Sequence, residues 1–397
     1  MSPAHWLAFG CALVCGAAAF LGIVYTLLAA VLLGRFLARP GAEPVGFPPV
    51  TIVKPLHGAE WALARNLESF CKQDYPGEVQ FVFGVHDAAD PALATVDDLR
   101  RRFPDAHITV VSDPTLHGPN RKISNILNML PRAEHDVLVF ADSDVHVEPT
   151  YLRRVIGELQ RPGVGLVTCA YRGDPDPGFW PRMSAHSTNY QFLPGVVAGL
   201  ALRMARPCFG QTIAMRRETL DLIGGLTQFA RHLAEDHAIG EAVRAAGQQI
   251  AIPPFAVAHA CVETTAAQLV AHELRWSRTI RRIDPLGHLG SALMYPLAFA
   301  LLAVACSVAA AWACWLAGAA LAARGLLKFL SDRALRQPSR HWWMLPLGDI
   351  GAFAMFLASF LSSRVIWRGF SFRVDGDGLI SPVQDKSLGI AMSSESN

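Results

Sequence analysis

Leu138-Val139-Phe140-Ala141-Asp142-Ser143-Asp144-Val145 decides how the rest of the chain reads. Residues 137–141 form a short, unbroken apolar run, which is the form of a buried strand. The run ends abruptly in two acids one residue apart, Asp142 and Asp144. A strand that delivers carboxylates at its C-terminal edge puts them in the crevice where α/β sheets bind ligands. Two hard oxygen donors so close together suit a divalent cation, Mg2+ or Mn2+, with a substrate diphosphate completing its shell. A solvated acidic turn has the same spelling, so the neighbouring sequence has to discriminate.

Working upstream, residues 50–53, 79–85 and 108–111 read as strands, and 61–71, 92–102 and 123–130 as helices. Strand-helix alternation of this kind predicts an α/β domain, Rossmann-like, with a mixed, mainly parallel sheet and helices on both faces. Lys54, Asp87, Asp142 and Asp144 then lie at strand ends and line one cleft. Asp87 can accept hydrogen bonds from a uracil or a ribose, although Asp90-Pro91 just after it is turn chemistry in its own right. Gly118-Pro119-Asn120-Arg121-Lys122 opens the third helix. A glycine lead-in, free N–H groups at a helix start and two cations make a diphosphate seat. The Walker spacing is absent.

Downstream, 164–169 reads as a further strand, and 192–204 is apolar enough for core or for a lip that meets a lipid acceptor. Glu235 and Asp236 begin a helix running to Ala246. The macrodipole stabilises an anion there, which suits either a catalytic base or a cap. Residues 264–282 are amphipathic and carry Trp276 among His272, Arg275, Arg278, Arg281 and Arg282. Such a helix lies flat on an anionic membrane or docks on the domain surface. Arg275 is also suited to close over a pyrophosphate.

The chain has 397 residues, 52% of them hydrophobic and only 17% charged, too apolar for an ordinary soluble protein. A net charge of +2 gives no reason to invoke nucleic acid. None of the eight cysteines forms a Cys-x-x-Cys pair, which argues against a disulfide framework and a zinc site. Residues 6–33 are apolar, uncharged and longer than the roughly 20 residues that cross a bilayer. Arg35 and Arg39 follow, so the positive-inside rule puts the N-terminus outside and the next domain in the cytoplasm. Alanine and arginine usage has a bacterial flavour, which makes the expected location the bacterial inner membrane. The expected organisation is a transmembrane helix at 1–39, a catalytic domain at 48–262 and an amphipathic helix at 263–288. A C-terminal membrane region of two or three spans at 289–370 and a polar tail at 371–397 complete it.

Taken together the motifs are more specific than any one of them. In order they are Val53-Lys54-Pro55-Leu56-His57-Gly58, Val85-His86-Asp87 and Asn120-Arg121-Lys122. Asp142-Ser143-Asp144, Glu235-Asp236 and His272-Glu273-Leu274-Arg275-Trp276 follow. The set resembles the ceramide glucosyltransferase-like branch of the GT-A glycosyltransferases, glycosyltransferase family 21, over about residues 48–285. Within it the chain looks most like the bacterial hopanoid-biosynthesis subgroup (HpnI). The resemblance implies that Asp87 serves the nucleotide and that Asp142 and Asp144 form the metal-binding Asp-x-Asp. It also implies that Asp236 is the general base and that Arg275 and Trp276 end the Gln/Arg-x-x-Arg-Trp signature. His272 departs from that signature at its first position. Lys54, Asn120 and Lys122 join the expected nucleotide-sugar site.

The implied reaction is an inverting transfer from a UDP-sugar to a membrane-lipid hydroxyl, with Mg2+ or Mn2+ as cofactor. The expected pairing is N-acetylglucosamine and a hopanoid, bacteriohopanetetrol. The competing expectations are glucosylation of ceramide, a processive polysaccharide synthase, and a membrane scaffold without activity. His272 and the few spans speak against the synthase. The complete set of acids speaks against the scaffold.

Overall fold

The computed structural model describes residues 3–58 and 62–362 and, beyond them, the backbone of three short strands at 364–367, 370–374 and 380–382. The first element is α1 (Pro3–Leu37), 35 residues and apolar all round. Its buried positions include Ala12, Gly16, Ala19, Gly22, Thr26 and Ala29, a stripe of small side chains. A Cβ on Gly16 would sit 2.8 Å from the Trp312 ring, and one on Gly22 2.8 Å from the Leu293 carbonyl oxygen. Small residues there let neighbouring helices approach closely, which is how helices associate in lipid.

The α/β domain begins with β1 (Val50–Pro55), α2 (Leu63–Cys71), β2 (Val79–Val85) and α3 (Ala92–Arg102). It continues through β3 (His107–Ser112), α4 (Arg121–Met129) and β4 (Val137–Ala141). The expected alternation is present. β1 runs two residues further than the apolar pattern suggested, and α4 starts two residues earlier because Asn120 caps it. Trp61, where the first helix was expected to begin, lies outside the described residues. Then come β5 (Val145–His146), α5 (Tyr151–Leu159), β6 (Val164–Thr168), β7 (Ala170–Pro175) and α6 (Phe179–Ser187). A π-helical turn (Thr188–Phe192) runs into α7 (Leu193–Ala201). β8 (Thr212–Arg216), α8 (Arg217–Leu222), α9 (Glu235–Ala245), β9 (Gln249–Ala251) and β10 (Ala256–Cys261) complete the domain.

The main sheet has the order β3-β2-β1-β4-β8-β6-β9. It is parallel from β3 to β4 and between β6 and β9, and antiparallel on both sides of β8. Of its central strands β4 is apolar throughout, while β1 buries Thr51 and Lys54 among apolar residues, because helices cover both faces. Ile52 and Val139 pack with Phe70 and Tyr151 on one face. Val53 and Leu138 pack with Ile123, Met129 and Ile239 on the other. The change of face between adjacent residues is the two-residue period of a strand. A smaller sheet, β5-β10-β7, lies beyond the end of β4 and carries His259.

The C-terminal part comprises α10 (Ala266–Ile283), α11 (Pro285–Gly290), α12 (Pro296–Cys306), α13 (Ala311–Ala334) and α14 (Met344–Ser359). The apolar run at 291–323 is not one rod. It bends by 68° ahead of Pro296 and breaks again where Val308 and Ala309 take left-handed φ values of 53° and 58°. Among the described residues α1 and α13 are long and apolar enough to cross a membrane, and the bent pair ending in α12 counts as a third only if it is one span.

Asp349, which interrupts the last apolar run in sequence, is internal. Its carboxylate holds the Arg324 guanidinium with two bonds of 2.7 Å, and both side chains are at most 1% exposed. Gln191 Nε2 donates to Asp349 at 3.1 Å, and Arg324 donates to the Tyr190 carbonyl at 2.8 Å. The pair therefore fastens α13 and α14 to the π-helical turn, an insertion that recurs at functional sites. Two segments of the expected polar tail, Phe370–Val374 and Ile380–Pro382, are strands of a three-stranded antiparallel sheet. Residues 375–379 and 383–397 lie outside the described residues.

Candidate active site

A cleft of about 1140 Å³ opens at the C-terminal end of the parallel strands. Its floor is acidic. β4 delivers Asp142 and Asp144, and the start of α9 delivers Glu235 and Asp236. Lys122, in the first turn of α4, reaches across to 2.7 Å from Asp142 Oδ1 and 3.1 Å from Glu235 Oε1. Asp236 accepts the Gly210 N–H at 2.9 Å and the His237 N–H at 2.8 Å. His272, Arg275 and Trp276 from α10 form the facing wall. The Trp276 ring packs against Tyr171, Phe192 and His259 with centroids 5.8, 5.9 and 6.1 Å away. Between the two readings of α10, membrane-surface helix or docked helix, this face is docked on the domain.

Burial and charge set the protonation pattern. Burial alone would depress the Lys122 ammonium, but Asp142, Glu235 and Asp236 more than reverse this, so it stays charged. Burial pushes Asp142 up, with Lys122 opposing and Asp144 adding to the rise. Burial also raises Asp144, yet His259, Lys122 and Lys54 outweigh it and hold the carboxyl down at about 2. Asp236 goes the other way. Burial raises it first and Glu235 second, and Lys122 and two backbone N–H groups pull it only part of the way back, to about 6. A carboxylate poised near neutrality is what a general base needs.

Two observations test whether these residues fit a divalent cation. Asp144 Oδ1 is buried without a hydrogen-bond partner, while Oδ2 faces His259 Nδ1 at 3.4 Å. The described residues contain no ready-made cluster of three or more His, Cys, Asp or Glu that could hold a metal. A partly filled donor set fits a hard cation that arrives with a diphosphate and keeps waters in its shell. Asp142 and Asp144 are the residues that would hold it, with His259 beside Asp144 Oδ2 orienting that carboxylate.

Other expected site residues stand elsewhere. Lys54 is fully buried, with Nζ over the Phe70 ring and donating to the Asp142 carbonyl at 2.7 Å, so it braces the end of β4 from behind. Asn120 is also fully buried. It caps α4 through the Ile123 N–H and donates to Glu235 Oε2 at 3.0 Å. Asp87 is exposed, outside the cleft lining, and accepts the Ala89 N–H in a turn. Lys122, Asp142, Asp144, Asp236, His272, Arg275 and Trp276 are brought together.

The sequence reading missed His259 and Glu263. Glu263 shares a hydrogen bond with His272 Nδ1, and its second oxygen is buried without a partner. A single histidine inside the apolar strand Ala256–Cys261 was the one available signal for the first. Glu273 is half-buried on α10, bonded by Ser187 at 3.2 Å, and desolvation pushes its carboxyl up to about 7.

Several known proteins resemble the chain. It is 24% identical over 247 residues to ceramide glucosyltransferase 1 of Caenorhabditis elegans, covering 61% of this chain and 51% of that one. It is 23% identical over 193 residues to the beta-monoglucosyldiacylglycerol synthase of Synechocystis, covering 46% and 38%. The chain thus spans about half the length of the first curated relatives it matches, or less. Among solved structures, the mannosyltransferase PcManGT from Pyrobaculum calidifontis, in complex with GDP-Man and Mn2+, aligns with a TM-score of 0.49 and 23% identity. That alignment covers 88% of this chain and 99% of the other. The family model described as glycosyl transferase family 21 matches residues 14–380, and on that extent the chain belongs to glycosyl transferase family 21.

Proposed function

We propose that the chain is an inverting glycosyltransferase of GT-A type that moves a sugar from a UDP-sugar to a membrane-lipid hydroxyl in one displacement. The observation that carries this reading is Asp236, a carboxylate poised at about 6 in the same cleft as Lys122, Asp142 and Asp144. Asp236 takes the proton from the acceptor hydroxyl as that oxygen attacks the anomeric carbon. Lys122 and Arg275 balance charge on the departing diphosphate. A divalent cation, when bound, neutralises the same diphosphate as a Lewis acid. Trp276 and Phe192 give the cleft an apolar side that keeps bulk water from the sugar.

A lipid acceptor is supported by two features. The cleft continues into Val196, Met204, Ile280 and Ile283, and helices of membrane length pack beside the domain. The finer reading is N-acetylglucosamine from UDP-N-acetylglucosamine onto bacteriohopanetetrol, at the cytoplasmic face of a bacterial inner membrane. Arg35 in the last turn of α1 and Arg39 just after it support that orientation. A second reading, glucose onto ceramide, is favoured by the similarity to the nematode ceramide glucosyltransferase.

The test offers UDP-N-acetylglucosamine and UDP-glucose against bacteriohopanetetrol and ceramide, with Mg2+ or Mn2+, and weighs the lipids by mass spectrometry. An N-acetylhexosamine on the hopanoid, lost in Asp236→Asn, is the expected outcome. Hexose on ceramide transfers the assignment to the second reading, and no product from any pair overturns both.

A further inference from the structure

A second cavity, of about 700 Å³, lies where α1 meets the α/β domain, away from the cleft acids. Arg35 and Arg39 stand on its rim at the end of α1, and the Arg39 guanidinium rests 4.6 Å from the Phe36 ring centroid. Arg161 approaches from the end of α5. The one acid in the described lining, Glu158, is already engaged by Arg161 at 2.8 Å and by the Ala42 N–H at 3.2 Å. The cavity therefore keeps the positive charge of Arg35 and Arg39. Its other wall is apolar, built from Leu32, Val197 and Leu200.

We propose that this cavity binds the head group of an anionic phospholipid. The phosphate lies between Arg35 and Arg39, and the first carbons of the acyl chains lie against Leu32, Val197 and Leu200. Planar guanidinium groups match phosphate oxygens two at a time. A basic pocket at the end of a membrane-length helix is where such head groups collect. The height of the site on α1 suits a lipid of the surrounding leaflet, because the cations follow directly on the apolar span.

The cavity also shares a wall with the cleft. Val197, Leu200 and Ala201 face it, while Phe192 and Val196, immediately before them, face the catalytic side. The segment 192–201 is thus a partition with lipid on one side and acceptor on the other. An occupied head-group site holds that partition in place.

The proposal rests on α1 lying in a membrane and is independent of which sugar or acceptor is used, because its test reads binding and not transfer. The full chain is reconstituted in nanodiscs of phosphatidylcholine alone, or of equal parts phosphatidylcholine and phosphatidylglycerol, and analysed by native mass spectrometry for retained lipid. Phosphatidylglycerol is retained in preference. Arg35→Gln and Arg39→Gln each lower retention about fivefold, and together about twenty-five-fold. Arg101→Gln on exposed α3 changes nothing. Leu200→Glu puts a carboxylate on the apolar wall and lowers retention without touching an arginine. Equal retention of both lipids, or a double variant that holds phosphatidylglycerol like the parent, overturns the site. Displacement of the lipid by inorganic phosphate alone overturns the lipid assignment.

Discussion

The charge pattern around Asp236 sets a pH dependence. Its carboxyl is held at about 6, and a base works only when ionised. About a tenth of the molecules are therefore active at pH 5 and about nine-tenths at pH 7, with an acid limb in kcat/KM centred near about 6. Lys122 is the cation that opposes the rise, so Lys122→Gln removes a downward influence. The limb then moves to higher pH, by about 1–3 units for the loss of a close opposite charge. The assay is sugar transfer from labelled UDP-sugar over a pH series in detergent, with kcat/KM read because it reports the free enzyme. Asp236→Asn lowers the plateau by about 10²–10⁴-fold and abolishes the limb. The reasoning is refuted if the limb persists in Asp236→Asn, or if Lys122→Gln moves it to lower pH.

Other substitutions probe separate parts of the molecule. Asp144→Ala should weaken UDP binding in the presence of Mn2+ and leave metal-free UDP binding unchanged, which calorimetric titration in both conditions decides. Arg324→Leu strands the buried Asp349 carboxylate and should cost about 3–5 kcal/mol. Adding Asp349→Leu should recover much of that loss in a denaturation series in mixed detergent, and strict additivity would count against the pair. Gly157→Ala should lower the thermal midpoint by the equivalent of about 1–3 kcal/mol. Its new Cβ would stand 2.1 Å from the Ala42 carbonyl oxygen, and an unchanged midpoint would mean that this loop gives way freely.

The fold was legible where one physical signal dominated. Residues 137–141 are apolar without a break and 79–85 are broken only by Gln80, because helices cover both faces, and the structure keeps both sets of bounds. Asn120 and Lys54 were harder. An asparagine ahead of a helix can satisfy the free N–H groups itself or leave them for a phosphate, and the spelling is the same. The structure shows the first use: Asn120 accepts the Ile123 N–H, and its amide is held in place by Glu235. Lys54 follows an apolar strand into the cleft's neighbourhood, but the Phe70 ring turns it away from the cavity. His259 is 115 residues from Asp144 by number, so no local spacing announces their meeting. The break at 307–310 contains neither glycine nor proline, the residues on which breaker signals depend.

The Arg324–Asp349 clasp has a consequence for how the chain is made. Each partner sits on its own apolar helix, and α13, which is long enough to cross a membrane, would without Asp349 carry an unpaired Arg324 charge at a cost of about 2.5–3.5 kcal/mol in hydrocarbon. The neutral object is the pair, and the pair is completed by Gln191 and the Tyr190 carbonyl, synthesised more than a hundred residues earlier. The expected order of assembly follows: the domain up to the π-helical turn first, with α13 and α14 received by it together.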